Sequence, residues 1–431
     1  MKTKRCSTAK QPKSALLWVY LKLSPLIRLF ARRHLEKRLM RGKEDGLRYR
    51  EKLGITDVAR PDGKLVWMHA AGVGQLLALS GLIREIKRLD PALNFLLTSS
   101  QHTSAQAIKH SLPENTIPQF LPLDSPYYVK RFLDHWQPQL SIWAGRGIWP
   151  AFLSELERRK ISMALINGRM AEKSRRRKEK IKSFFTALYA KFHLIEVQDK
   201  ASAKQFVSLG VCPDELKITG TLKAGADALV DQQKKRESLQ KLLNKRPVWL
   251  AASTHPEDEI QVFKAHKQLL QTHPETCLIL APREPERADR ILRHAADLGF
   301  QACILQDENN DLTNMQICII DKIGQLGIWY RLADRCFVGG SISDVGGHNP
   351  YEPALLNCAI THGPNVQNFA DAFADFHAQN GAKLVHNADD LAAALLDPDL
   401  LTLRPNASTI AQHGKLAVKD TARRLFNLLP S

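Results

Sequence analysis

Three short strings bring together the residues whose types and spacing could do chemistry: Ser253-Thr254-His255, Pro282-Arg283-Glu284-Pro285-Glu286-Arg287, and Gly339-Gly340-Ser341 running on through Gly346-Gly347-His348-Asn349-Pro350-Tyr351-Glu352-Pro353. A guanidinium offers a planar fork of donors that grips phosphate in bidentate fashion, so Arg283 reads as an anion contact. Glycines at 339, 340, 346 and 347 allow φ > 0 and close approach of the backbone to a ligand. They follow the apolar run Cys336-Phe337-Val338 and precede the helix-like Ala354-Leu355-Leu356. Such a strand-to-helix turn presents free backbone N–H groups and a positive dipole end, which favour an anion. Asn349 suits an N-cap, Pro350 the first helical position, and Glu352 the third, where it can close a capping box. The plainer reading of the same string is a well-capped helix after a tight turn. His69 ends another apolar run, Leu65-Val66-Trp67-Met68. A lone histidine is more often structural than functional, and it is the recurrence of such residues at successive strand ends that makes a site.

The elements that must carry these residues follow from the alternation of apolar runs. Leu65–Met68, Phe95–Leu97, Leu140–Trp143, Met163–Ile166 and Leu194–Val197 read as buried strands, each followed by a polar or glycine loop and a helical stretch such as Leu76–Lys87. After a charged segment, Asp231–Arg246, the pattern restarts with Val248–Ala252, Cys277–Leu280, Ile317–Ile320, Cys336–Val338 and Ala359–Thr361. Alternating β and α elements predict parallel βα units. A chain of 431 residues exceeds what one hydrophobic core usually serves. The expectation is an α/β protein of two doubly wound domains with a boundary near 225–245. In open parallel sheets ligands bind at the carboxyl ends of strands, which is where the loops above fall.

The formal net charge of +18 is uneven: residues 1–60 hold 17 Lys/Arg against 5 Asp/Glu. A second basic cluster runs from Arg169 to Lys182. Basic patches attract phosphates of nucleic acid or of anionic lipid. Few aromatics interleave with these charges and no nucleic-acid module pattern is present, so a nucleic-acid partner is not expected. The segment Ser14–Phe30 is apolar but interrupted by Lys22, Pro25 and Arg28, too short and too charged for a spanning helix. Trp18, Tyr20 and the flanking cations suit a helix lying in a membrane interface. The seven cysteines form no C-x-x-C pair and are odd in number, which argues for a reducing compartment and against a zinc site.

Over about residues 15–428 the chain resembles the Kdo transferases, bacterial glycosyltransferases that move 3-deoxy-D-manno-octulosonic acid (Kdo) from CMP-Kdo to a lipid A precursor. Ser253-Thr254-His255-Pro256 is similar to that family's Ser-Thr-His stretch, and Pro282-Arg283-x-Pro285-Glu286-Arg287 to its Pro-Arg-His-Pro-Glu-Arg. Gly339–Ser341 with Gly346–Pro353 resembles its nucleotide loop, and Gly363-Pro364-Asn365-x-x-Asn368-Phe369 a further signature. The resemblance implies a GT-B fold: a basic, apolar membrane-associating segment (1–60), an acceptor-side Rossmann-like domain (61–228), and a CMP-sugar-binding domain (229–431). It implies no cofactor and no metal, an anionic membrane surface as partner, and a location on the cytoplasmic face of the bacterial inner membrane. By the same resemblance Arg283 contacts the donor phosphate, Gly340 and Ser341 line it, Asn349 and Glu352 hold the ribose, and Ser253, Thr254, His255 and Lys223 complete the donor site.

The chain departs from that pattern in its first half. The family's His-Ala-x-Ser-Val-Gly-Glu, whose glutamate is the expected general base, is here His69-Ala70-Ala71-Gly72-Val73-Gly74-Gln75. Its Glu-x-Glu-Leu-Trp-Pro is Gly145-Arg146-Gly147-Ile148-Trp149-Pro150, and its Gly-Asn-Leu-Lys is Gly220-Thr221-Leu222-Lys223. A glutamine amide cannot take up a proton, and a positioned base is worth about 10²–10⁴-fold. Two readings follow: an inverting transferase whose base is a substitute such as His69 or His102, with Arg146 recognising an acceptor phosphate or the donor carboxylate, or a catalytically impaired paralogue that binds CMP-sugar or lipid A.

Overall fold

The computed structural model describes residues 12, 14–71, 73–100, 112–145, 147–225, 228–305 and 312–430. The chain folds as two compact units, one of residues 1–225 with 416–431 and one of residues 226–415. The last residues of the 229–431 segment therefore pack with the first unit.

The first unit is built on seven parallel strands: β1 (Leu65–Ala70), β2 (Asn94–Ser99), β3 (Thr116–Phe120), β4 (Leu140–Ala144), β5 (Ser162–Gly168), β6 (Leu194–Val197) and β7 (Leu216–Ile218), in the order β3-β2-β1-β4-β5-β6-β7. Parallel neighbours need crossover helices, which cover both faces and leave the central strands apolar on both sides. In β1, Leu65 and Trp67 enter one core while Val66, Met68 and Ala70 enter the other. Trp67 packs on Phe132, Trp143 and Phe152 at ring separations of 5.0–5.3 Å, each such aromatic pair adding about 0.5–1.5 kcal/mol beyond its burial.

The apolar segment near the N-terminus folds as two helices, Ala15–Leu23 and Ile27–Met40, joined by a 3₁₀ turn at Ser24–Leu26 where Pro25 falls. Leu17 is buried in the core that holds Trp67. Tyr20 donates its hydroxyl proton to Asp124 Oδ2 (2.7 Å), and the same carboxylate takes the N–H groups of Ala151 and Phe152 (3.1 Å each) at the start of the helix Pro150–Arg158. Leu16, Trp18, Leu23, Leu26, Leu29 and Phe30 remain exposed. No described helix is long and apolar enough to cross a membrane.

The second unit repeats the architecture with β8 (Val248–Thr254), β9 (Cys277–Pro282), β10 (Ala302–Ile304), β11 (Ile317–Ile319), β12 (Arg335–Val338), β13 (Ala359–His362) and β14 (Lys383–Leu384), all parallel, in the order β10-β11-β9-β8-β12-β13-β14. Strand order reverses beside the first strand of each sheet, between β1 and β4 and between β8 and β12. These switch points open crevices at the carboxyl ends of the strands.

The helix Arg404–Phe426 ends in the first unit, where Val418, Ala422 and Leu425 join the core of Met68 and Ile142. There the fully buried Glu196 of β6 accepts from Thr421 Oγ1 (2.6 Å) and from Arg424 Nε. Removing one partner of a buried pair strands the other. Glu196→Ala is expected to lower stability by roughly 2–4 kcal/mol, since Arg424 keeps some access to water; an unchanged urea midpoint would show that this clamp contributes nothing.

Candidate functional site

In the second unit the motif residues gather at the ends of β8, β9 and β12, on both sides of the switch point. Ser253 sits where the β8–β9 register shifts and has φ +56°, uncommon for a residue with a side chain. With Pro282, Arg283, Lys322 and Gly324 it lines a hollow of about 80 Å³. Thr254 is buried, and its hydroxyl donates to Glu259 Oε1 (3.2 Å). Glu259 also receives both arms of Arg287 (3.0 and 2.7 Å). Arg287 is thus fixed to the protein. Arg283 is exposed at the hollow, and no hydrogen bond or ion pair of its guanidinium is present among the described residues.

The glycine turn is not the open anion cradle that its sequence suggests. Asp258, three residues after His255 in the first turn of the helix Pro256–Thr272, is fully buried and takes five donors. Its Oδ2 accepts from the N–H of His255 (3.0 Å), the N–H of Gly340 (2.7 Å) and the hydroxyl of Ser343 (3.2 Å), and its Oδ1 from the N–H groups of Ile342 (3.0 Å) and Ser343 (3.1 Å). The Ser341 hydroxyl is buried as well, donating to Val338 O and accepting from the N–H of Gly363 (2.8 Å). A carboxylate of the protein therefore occupies donors that the sequence assigned to a ligand, and neither Gly340 nor Ser341 lines the hollow. An acidic residue at the third helical position is legible as a cap in the sequence. Its reach across to residues 340–343 is not.

The helix after the turn, Tyr351–Leu355, starts one residue later than the capping-box register placed it, with Pro350 as N-cap. Asn349 Oδ1 still accepts from the N–H of Tyr351 (3.1 Å), but Glu352 does not reach back to a backbone N–H; its Oε1 accepts from the Asn349 amide (3.2 Å). Burial pushes the Glu352 carboxyl up, opposed by the Asn349 hydrogen bond and the charge of Arg283. His348, a residue of the turn to which the sequence assigned no role, places its Nε2 3.1 Å from His255 Nε2 with the two rings 4° from parallel. Gly340 (φ +68°) makes this possible, since a Cβ there would lie 2.8 Å from His348 Cδ2.

In the first unit the switch point holds His69, at the end of β1, and Gln75, in the first turn of the helix Val73–Leu89. His69 is buried, with Nδ1 3.1 Å from Thr98 O and 3.0 Å from Thr98 Oγ1. The Thr98 hydroxyl proton is directed to Met68 O and its oxygen also accepts from Trp67 Nε1. Both oxygens facing Nδ1 thus act as acceptors, so Nδ1 carries the proton and Nε2 keeps a bare lone pair. That Nε2 has no partner among the described residues, nor has the indole N–H of Trp149. A Cβ on Gly147 would lie 3.4 Å from Trp149 Nε1 and 3.6 Å from His69 Nε2, so both unpaired atoms surround the position from which the side chain is missing. Burial lowers the His69 pKa to about 3, against a raising hydrogen bond to Thr98, and keeps the ring neutral.

Gln75 lies against Gly145, which has φ +85°; a Cβ there would come within 2.1 Å of the Gln75 amide nitrogen. Lys223 is half-buried in the short 3₁₀ helix Leu222–Gly225, whose first N–H is held by Asn167 Oδ1 (3.1 Å). Arg146 and His102 lie outside the described residues.

A family profile described as 3-deoxy-D-manno-octulosonic-acid transferase (kdotransferase) matches residues 47–226. The chain is 32% identical to a 3-deoxy-D-manno-octulosonic acid transferase of Haemophilus influenzae over 393 residues, 89% of this chain and 91% of that one. It belongs to the Kdo transferase family. A probable mitochondrial 3-deoxy-D-manno-octulosonic acid transferase of Arabidopsis thaliana is 31% identical over 81% of this chain and 78% of its own. Kdo transferases are glycosyltransferases, and the two parallel seven-stranded sheets are those of the GT-B fold. A UDP-GlcNAc 2-epimerase from Neisseria meningitidis bound to UDP-GlcNAc has the same fold, with a TM-score of 0.54 over 85% of this chain and 99% of that one at 10% identity.

Asp258 ties the glycine turn of this Kdo transferase family member to β8 and its helix. Asp258→Ala leaves several buried N–H groups unpaired and is expected to lower stability by about 3–5 kcal/mol. Calorimetry showing the thermal transition unmoved would mean that the turn holds itself.

Proposed function

We propose that this protein transfers Kdo from CMP-Kdo to a lipid A precursor in lipopolysaccharide synthesis, with inversion at the anomeric carbon. The observation that carries the reading is its likeness to the Haemophilus influenzae transferase over nine-tenths of both chains. Arg283 supports it: a guanidinium at a hollow shared with Ser253 and Lys322 suits the phosphate that leaves with CMP. Charge developing on a leaving group is what preorganised cations stabilise best. In this reading Ser253, Thr254, His255, Gly340, Ser341, Asn349 and Glu352 shape the donor site.

The acceptor hydroxyl attacks the anomeric carbon, the bond from that carbon to the CMP phosphate breaks, and the hydroxyl proton passes to a base. Gln75 holds the position of the family's base and cannot serve. His69 Nε2, with its lone pair fixed outward from Thr98, is the substitute the first unit offers. The burial that keeps it neutral also makes it a weak base in the unliganded protein, since a catalytic base works best with a pKa near the operating pH. A second reading, a paralogue that binds CMP-sugar without turning it over, draws on the missing carboxylates at Gly145 and Gly147 and on the amide at Gln75.

Membrane seating is part of the proposal. Trp18, Leu23, Leu26, Leu29 and Phe30 are exposed beside Lys22, Arg28, Arg32 and Arg33. The basic helix Glu172–Glu179 is followed by Lys182–Tyr189, whose Phe184 meets Tyr20 edge-on at 6.3 Å, so the second cationic cluster adjoins the first. Apolar side chains ringed by cations suit the headgroup layer of an anionic bilayer, here the cytoplasmic leaflet of the inner membrane.

The deciding experiment is CMP release from CMP-Kdo by purified protein, with and without lipid A precursor. Acceptor-dependent release is expected. His69→Gln should lower it by about 10²-fold or more and Gln75→Glu should raise it; binding of CMP-Kdo without release for any acceptor would favour the binding paralogue. Separately, co-sedimentation with phosphatidylglycerol vesicles should fall by roughly tenfold in Trp18→Glu/Phe30→Glu, and undiminished co-sedimentation would remove these helices from the membrane contact.

A further inference from the structure

The histidine pair of the second unit takes no step in the chemistry above, although His255 is counted among the residues that shape the donor site. His255 follows β8 and His348 belongs to the glycine turn, and both are half-buried rather than sealed. Their Nε2 atoms are 3.1 Å apart in nearly parallel rings, a distance that suits an N–H···N hydrogen bond. Two neutral rings sharing one hydrogen have room for one more proton: an imidazolium N–H can donate to a neutral imidazole across the same gap. A second added proton would set two cations in contact. The pair therefore holds either no net charge or one positive charge, the added proton going to a ring Nδ1.

We propose that the His255–His348 pair is an anion-linked proton site: when a nucleotide phosphate binds at Arg283, one proton passes from solvent to the pair, and the resulting shared cation joins Arg283 in holding the phosphate. This rests on the donor-site reading given above. The groups that face His348 account for the linkage. Arg283, on the loop after β9, adds positive charge, and Asp258, on the helix Pro256–Thr272, adds negative charge but is already surrounded by five donors. On the following helix the nearest carboxyl is Glu352, itself under the charge of Arg283. In the unliganded protein burial first, and then His255 and Arg283, hold the His348 pKa down to about 4. A bound phosphate offsets the Arg283 charge and brings its own negative charge, so the reasons for staying neutral weaken together. Gly340 belongs to the same device, because any side chain there would meet the His348 ring.

The test is calorimetric titration of the full-length protein with CMP at pH 7.5, in PIPES and in Tris, whose ionisation enthalpies differ. CMP is then almost wholly dianionic, its second phosphate pKa lying near about 6, so protons taken up go to the protein. The expected result is uptake on the order of half a proton or more per CMP bound, lost in both His255→Gln and His348→Gln. Binding with no uptake in wild type, or uptake unaltered in both variants, overturns the inference and leaves the donor-site reading standing. Failure of wild-type protein to bind CMP overturns that reading and this inference with it. If the variants bind too weakly to titrate, NMR of the His255 and His348 ring protons in wild type decides. A titration midpoint moved upward by CMP supports the proton site, and an unmoved midpoint overturns it.

Discussion

The second unit depends on one carboxylate. Asp258 sits where a helix starts, a strand ends and a glycine turn passes, and each of these leaves backbone N–H groups without partners of their own. A neutral side chain could satisfy two of them. A carboxylate offers about four lone-pair sites on two oxygens, which the five donors share, and charge-assisted bonds of this kind are about twice as strong as neutral ones. Its position fixes Gly340, and through Gly340 it fixes the pairing of His348 with His255. What stays exposed at the hollow is the Arg283 side chain rather than the amides of the turn.

The first unit is organised by a different economy of protons. Thr98 sets the tautomer of His69 because its hydroxyl hydrogen is already given to Met68 O. The consequence appears on the far side of the ring, where Nε2 and the Trp149 indole N–H lack partners among the described residues. Buried polar atoms without partners are costly and rare. Their gathering around Gly147 marks an unfilled polar corner of the first unit more plainly than the glycine itself does.

The sequence was most legible where burial was two-sided. The central strands β1, β2, β4, β5, β8, β9 and β12 each read as a nearly unbroken apolar run, with Ser141 the one polar residue in β4, because both faces are covered by crossover helices. The four strands not foreseen, β3, β7, β10 and β14, are the four edges of the two sheets. They are short, and their side chains are largely half-buried or exposed, with Pro118 within β3 and Lys383 in β14. An edge strand needs only one partner and little apolar surface, so it leaves a faint pattern. The candidate site was legible as a set of residues, since the motif strings do meet at a switch point. Which of them face a ligand was not, because that depends on bonds between segments far apart in the chain, as from Asp258 to Ile342 and Ser343.

The contact between Gln75 and Gly145 couples what the two positions can hold. A side chain at 145 must overcome both a left-handed backbone and an amide that already fills its space, whereas glutamate at 75 has almost the shape of the glutamine there. Mutations in contact do not add independently. A carboxylate at 145 would need both a new backbone conformation and a displaced side chain at 75, whereas a carboxylate at 75 needs neither. The fold therefore leaves an open place for a carboxylate on the helix and a closed one on the loop.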